Sequence, residues 1–367
     1  MTTQVGDPVA SIDTPALVLD VDAMQRNLER MAAFARTHGM RLRPHAKMHK
    51  SATIAKLQIA GGAVGVCVQK VSEAQRLAEL GVPDIFITNQ LVAPHKLARL
   101  AELARHTRLS IAVDSSLGVQ RLAQALKAAG TAVDTFVEVD VGQGRCGVPA
   151  AAAGAMAHQV VAAGLRLAGL QAYHGTAQHL RTPAERAAAI QHAVTLARTA
   201  QASVTSAGLA CPLITGAGTG SFVHEAASGV YGELQVGSYL FLDRDYAANQ
   251  PTPGAPSFEH ALFVKSQVMS RGSAHAVIDA GHKAYAVDSG PPAVWGRDLA
   301  FAGCSDEHGT LRARADALPE LGDTVWLVPG HCDPTVNLHD QYVVVRGGLA
   351  QGHVEAVWAV DARGAMT

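Results

Sequence analysis

Three short stretches of this 367-residue chain carry side chains whose types and spacing are suited to chemistry. The first, RLRPHAKMHKS at residues 41 to 51, gathers two arginines, two histidines and two lysines around one proline. Lys47 follows a strand-like run by one residue, with His45 and His49 close by. Repulsion from so many cations is expected to depress its pKa and favour a neutral, nucleophilic amine, the form that makes Schiff bases. The second stretch, TGAGTGS at 215 to 221, sets three glycines among small hydroxyl residues after an apolar run. Successive exposed N–H groups in such a turn make a concavity for an anion. The third, HCD at 331 to 333, places an imidazole and a carboxylate two residues apart, and on an extended segment both point the same way. A mixed N/O pair of that kind suits Mn2+, Mg2+, Zn2+ or a similar ion, with Cys332 directed away from Asp333.

Each stretch alone has a bland reading: a solvated lysine, a tight turn, a turn before Pro334. Together, a strand-end lysine and a phosphate turn ask for a cofactor with one aldehyde and one phosphate. Pyridoxal 5'-phosphate (PLP) is the economical answer.

The elements that must position these groups show a regular beat. Strand-like runs occur at 41–46, 64–69, 84–89, 109–114, 134–142, 167–175, 211–218 and 233–241, separated by Ala- and Leu-rich segments with helical spacing. Eight buried strands alternating with helices predict a parallel, closed (β/α)8 TIM-like barrel, an α/β architecture whose reactive groups gather at the C-terminal ends of the strands. The competing reading, an open doubly wound sheet, would put its glycine-rich turn after the first strand, whereas here it follows the seventh. Beyond NQPTPGAPS the rhythm changes to short alternating runs, which predicts a C-terminal all-β domain. The expected division is an N-terminal strand and helix start (1–25) associated with the β-domain, a cofactor-binding barrel (26–250) and a β-domain carrying the metal pair (251–367). PALVLD at 15–20 is expected to be a strand paired with the β-domain, and the helix after it is expected to be capped by Asp22 and stopped by Gly39.

Composition narrows the function classes. A net charge of -1, with 48% hydrophobic and 17% charged residues, fits a compact globular protein with no global pull toward nucleic acid or an anionic membrane. Five cysteines without C-x-x-C spacing point to a reducing, cytoplasmic setting. No uncharged run reaches the ~20 residues of a membrane span, and the first residues lack the pattern of a signal peptide.

RPHAKMHK together with YHG, TGAGTGS and PGHCDPTVNLHD resembles the D-threonine aldolase and D-serine dehydratase group of PLP enzymes, which share the alanine racemase-like arrangement of barrel plus β-domain. The resemblance runs from DTPALVLD to VVVRGG and lies nearer the aldolase branch. It implies that Lys47, not Lys50, carries PLP, that Arg145 faces the pyridine nitrogen, and that Gln69 and Tyr173 lie beside the ring. It also implies that Gly216, Gly218, Thr219 and Gly220 lie near the phosphate and that His331 and Asp333 hold the metal. Dehydratase members carry H-x-C with zinc at this point, whereas this chain has Asp333, whose hard oxygen tilts the ion toward Mn2+ or Mg2+, with Zn2+ still compatible.

The activity implied is cleavage of a D-3-hydroxy amino acid to glycine and an aldehyde, with His179 or a metal-bound water as base and a homodimer as the assembly. The rivals are a D-serine or D-threo-3-hydroxyaspartate dehydratase, a racemase, and a non-catalytic PLP carrier.

Overall fold

The computed structural model describes residues 3–367. The eight expected runs all form barrel strands: Arg41–Leu42, Val66–Val68, Asp84–Ile87, Arg108–Val113, Asp134–Glu138, Arg166–Ala172, Ile214–Gly216 and Glu233–Leu234. Every neighbouring pair is parallel, and the last strand pairs back onto the first through Arg41↔Glu233 and Leu42↔Leu234. The ring closes between the first and second strands at a parallel bridge, His45↔Cys67. There the Ala46 N–H donates to the Cys67 carbonyl at 2.7 Å and the Cys67 N–H to the Pro44 carbonyl at 2.8 Å.

The strands shorten where the chain turns into the mouth, so the run at 233–241 is not one strand. It is two strand residues followed by a 3-10 turn, Ser238–Leu240, after Gly237. The barrel interior is plugged by Cys67, Phe86, Ala112 and Phe136, with the two phenylalanine rings stacked at 4.6 Å. A filled floor leaves the strands' C-terminal ends as the place where a cavity can open.

The strand Ala16–Asp20 lies outside the barrel, antiparallel to Leu262–Arg271 and parallel to Gln341–Arg346. The following helix, Val21–Thr37, is capped by Asp20, whose carboxylate accepts from the Ala23 N–H at 3.1 Å; Asp22 sits inside the first turn. Gly39, with φ +63°, ends that segment as expected. The strands Ala293–Val294, Leu299–Cys304 and Gly309–Ala313 carry no strong apolar alternation and escape a reading by pattern. One core cluster joins Met24, Met31 and Phe34 of the first helix to Met48, Val236 and Tyr239 at the barrel mouth and to Leu262, Cys332 and Tyr342 of the β-domain. This shared core fixes the segment bearing Lys47 against the segment bearing Asp333. Among the described residues, no helix is long and apolar enough to cross a membrane.

Candidate active site

A cavity of ≈ 470 Å³ opens at the C-terminal ends of the barrel strands, and the β-domain supplies one wall. It is lined by His45, Lys47, Gln69, Arg145, Tyr173, Gly218, Thr219, His179, His331 and Asp333, so residues from three sequence-distant stretches meet there. Gly216 and Gly220 do not line it. Gly216 is a strand residue at which a Cβ would fall 2.3 Å from the Ala172 carbonyl oxygen, and Gly220 lies against Gln178.

The cationic stretch splits into three directions. Arg41 and Arg43 turn to the opposite end of the barrel, where both pair with Glu233 and Arg43 also pairs with Asp84. His49 and Lys50 turn outward into the protein. The buried Lys50 ammonium is 2.7 Å from Glu73, and the buried His49 ring accepts from the Ser51 N–H through Nδ1 and meets Gln58 Oε1 at 3.3 Å. Of the basic side chains in this stretch, His45 and Lys47 face the cavity, so the cations that crowd together in sequence are separated in space. The same division leaves Lys50 with no access to a ligand at this site.

The charge state of Lys47 is corrected as well. Its amine lies 3.4 Å from Asp333 Oδ2, and that carboxylate raises its pKa against the opposing effects of burial and Arg145. The expected repulsion is missing because His45 is stripped of its proton, first by burial and then by Lys47, His49 and Arg145. Gln69 Nε2 reaches His45 Nε2 at 2.9 Å and Thr88 Oγ1 at 3.0 Å, which ties Gln69 into the wall beside Lys47. Arg145 stands 5.7 Å over the Tyr173 ring and, among the described residues, has no carboxylate within ion-pair distance. Burial raises the Tyr173 phenol pKa, with Lys47 and Arg145 pulling the other way.

The HCD segment is not extended. His331 caps a short helix, Cys332–Val336, and Asp333 occupies its first turn. The two side chains converge all the same, with Nε2 of His331 at 3.7 Å from Asp333 Oδ1, while Cys332 turns fully into the core. His331 Nδ1 meets Asp288 Oδ2 at 2.7 Å, which leaves Nε2 for the cavity side. Burial opposes protonation of His331, but Asp333 and Asp288 outweigh it and raise its pKa. Asp333 Oδ1 is buried without any hydrogen-bond partner. Among the described residues no cluster of three or more His, Cys, Asp or Glu side chains is arranged to hold a metal. An orphaned carboxylate oxygen beside an oriented imidazole fits a divalent cation with open positions.

The N–H groups of Gly218 and Thr219, and of Gly237 and Ser238 across from them, border the cavity and find no acceptor among the described residues. Four free donors on two adjoining turns fit the phosphate of PLP. The second turn went unread because Gly237 and Ser238 continue an apolar run; a glycine at the end of that run was the available signal.

His179 stands at the rim, its Nδ1 2.5 Å from Asp245 Oδ2, with the Tyr246 ring tilted at 47° to it and 5.5 Å away. Arg181 pairs with the same Asp245 carboxylate. Asp245 orients His179 and Asp288 orients His331, and both were invisible in the sequence, since neither stands near its partner.

The fold and this mouth define a barrel protein of the alanine racemase-like class, with a lysine at the end of its first barrel strand facing the cavity. Residues 19–245 match the family model described as alanine racemase, N-terminal domain, and residues 261–345 match the putative serine dehydratase domain. The chain belongs to the alanine racemase-like family that these two domains define. It is 48% identical to a D-threonine aldolase from an Arthrobacter species over 98% of this chain and 95% of that one. It is 44% identical to a 3-hydroxy-D-aspartate aldolase from Paracoccus denitrificans, covering 97% and 93%. The crystal structure of a D-threonine aldolase from Filomicrobium marinum superimposes with a TM-score of 0.97 at 47% identity, covering 100% of both chains.

Proposed function

We propose that this chain is a PLP- and divalent-metal-dependent D-threonine-type aldolase that cleaves D-3-hydroxy amino acids to glycine and an aldehyde. The observation that carries this reading is the Asp333 carboxylate, with one oxygen unpartnered and the other facing Lys47, beside His331. A buried oxygen in that condition asks for a cation, and its closeness to Lys47 puts ion and cofactor in one cavity.

Lys47 would hold the cofactor's aldehyde end and the free N–H groups of Gly218, Thr219, Gly237 and Ser238 its phosphate. Gln69 and Tyr173 would flank its ring, and Arg145 would face the pyridine nitrogen, where a permanent cation disfavours protonation. Bound there, PLP supplies a conjugated ring that accepts the electron pair of the broken Cα–Cβ bond, and the ion at His331 and Asp333 supplies a Lewis acid for the β-hydroxyl. His179 takes the hydroxyl proton: Asp245 holds its Nδ1–H, which leaves the Nε2 lone pair free. A metal-bound water is the alternative base. An imidazole beside a hard oxygen favours Mn2+ or Mg2+ over a closed zinc site. A cytoplasmic homodimer completes the reading.

The test is product analysis with purified protein, PLP, Mn2+ and D-threonine. Glycine and acetaldehyde in equal amounts are expected. Formation of 2-oxobutanoate and ammonia would move the chain to the dehydratase class.

A further inference from the structure

Glycine in a phosphate turn is usually explained by backbone freedom, but here that explanation fails. The left-handed position in TGAGTGS is Ala217, at φ +70°, while Gly218 and Gly220 have ordinary φ values. What forbids a side chain at these two positions is Gln178. A Cβ on Gly218 would lie 2.5 Å from Gln178 Oε1, and one on Gly220 would lie 2.5 Å from the Gln178 carbonyl oxygen. The turn is flattened onto this one residue.

Gln178 is fully buried in the 3-10 turn Thr176–His179, which follows the sixth barrel strand. All of its polar groups are engaged. Its Oε1 accepts from the Gly220 N–H at 2.9 Å, and its Nε2 donates to the His174 carbonyl at 3.1 Å and to Ser221 Oγ at 2.7 Å. Its backbone oxygen accepts from Asn249 Nδ2 at 2.8 Å, and its N–H donates to the Gly175 carbonyl at 3.1 Å. The chain continues as Ser221 Oγ donates to Glu225 Oε1 at 2.7 Å. The Gln178 amide accepts from one residue of the turn and donates to the next. Two hydrogen bonds from one amide thus grip consecutive residues of the turn, Gly220 and Ser221.

From this geometry we propose that Gln178 is a positioning residue for the cofactor's phosphate. It draws the Gly220 N–H away from the cavity and holds the turn so that the N–H groups of Gly218 and Thr219 stay free to bind the anion. Because Gln178 immediately precedes His179, the same 3-10 turn sets the phosphate turn and the proposed base relative to each other. The inference rests on the PLP reading above and deepens it by naming what shapes the phosphate site.

The experiment compares ligands with and without the phosphate. Apoprotein is titrated with PLP, with pyridoxal and with inorganic phosphate as competitor, for wild type, Gln178→Glu and Gly220→Ala. Gln178→Glu keeps an acceptor for Gly220 but loses both Nε2 donor bonds and adds negative charge under the turn. Gly220→Ala pushes the turn off Gln178 at a position outside the cavity, and it stands in should the first variant not fold. The expected result is a PLP dissociation constant raised about 10-fold or more in either variant, the scale of lost outer-shell support. Competition by phosphate should weaken in parallel while the pyridoxal constant stays within about 2-fold. Equal losses for PLP and pyridoxal would mean general damage and overturn the proposal, as would unchanged PLP binding. Failure of the PLP reading looks different: wild-type apoprotein would itself bind PLP no better than pyridoxal.

Discussion

The two ends of the barrel use the same kinds of charge in opposite ways. At the N-terminal end four arginines and three carboxylates alternate around the rim: Arg41 and Arg43 on Glu233, Arg43 and Arg108 on Asp84, Arg108 and Arg166 on Asp134. Arg43 and Glu233 are almost wholly buried, and Thr215 Oγ1 adds a 3.0 Å hydrogen bond to Glu233. At the C-terminal end, among the described residues, Asp333 keeps an oxygen without a partner, Arg145 has no carboxylate in reach and four backbone N–H groups find no acceptor. The first rim has paired its charges within the fold; the second leaves several of them unpaired. Charge alone therefore says little about function, and pairing says a great deal.

The contrast is sharpest in the variants it predicts. Lys47→Ala should lower turnover by roughly four orders of magnitude, the scale of losing a covalent group, while the apoprotein's thermal midpoint shifts by no more than about 2 °C. A large fall in that midpoint would mean that the mouth, too, is a stability device. Glu233→Gln should do the reverse, costing about 3 kcal/mol in urea unfolding because it strips Arg43 of a buried partner, with turnover per folded molecule retained. Asp288→Ala lies between the two: freed from its orienting carboxylate, His331 should bind metal about 10- to 100-fold more weakly, with PLP affinity unaltered.

A further effect concerns pH. Burial holds His49 down to about 4, against an ordinary value near 6.5, so the unfolded chain binds a proton in that window that the native state refuses. Native stability from this group is therefore present above pH 6.5 and lost as pH falls toward 4, by up to about 3 kcal/mol. Buried carboxyls at Glu138, Asp243 and Glu225, pushed to about 7, 6 and 7, act with the opposite sign. The His49 contribution is thus read between two proteins that share these carboxyls: on going from pH 7 to pH 5 the urea midpoint of His49→Asn should shift upward relative to that of wild type.

Much of this was legible in the sequence because it is local. Apolar runs of four to eight residues mark barrel strands, and Lys47, TGAGTGS and HCD advertise themselves by residue type at strand ends. The direction in which a side chain pairs is not local. Arg43 finds Asp84 and Glu233 across 41 and 190 residues, so the stretch that reads as one cationic patch is divided three ways in space. The charge of Lys47 was misjudged for the same reason: its neighbours in sequence are neutral or turned away, and the group that governs it comes from the other domain. Asp245, Asp288 and Gln178 stand in unremarkable polar segments and acquire meaning only through contacts. The exposed β-domain strands at 299–304 and 309–313 lack alternation because little of either is buried.

A titration of Mn2+ into apoprotein, followed by the electron paramagnetic resonance signal of the free ion, tests most directly whether the unpaired carboxylate at the mouth is kept for a metal. Wild type and Lys47→Ala are predicted to take up one ion per chain and Asp333→Asn none, while Asp333→Asn still binds PLP. Stoichiometric uptake that survives Asp333→Asn would place the ion elsewhere and contradict the account.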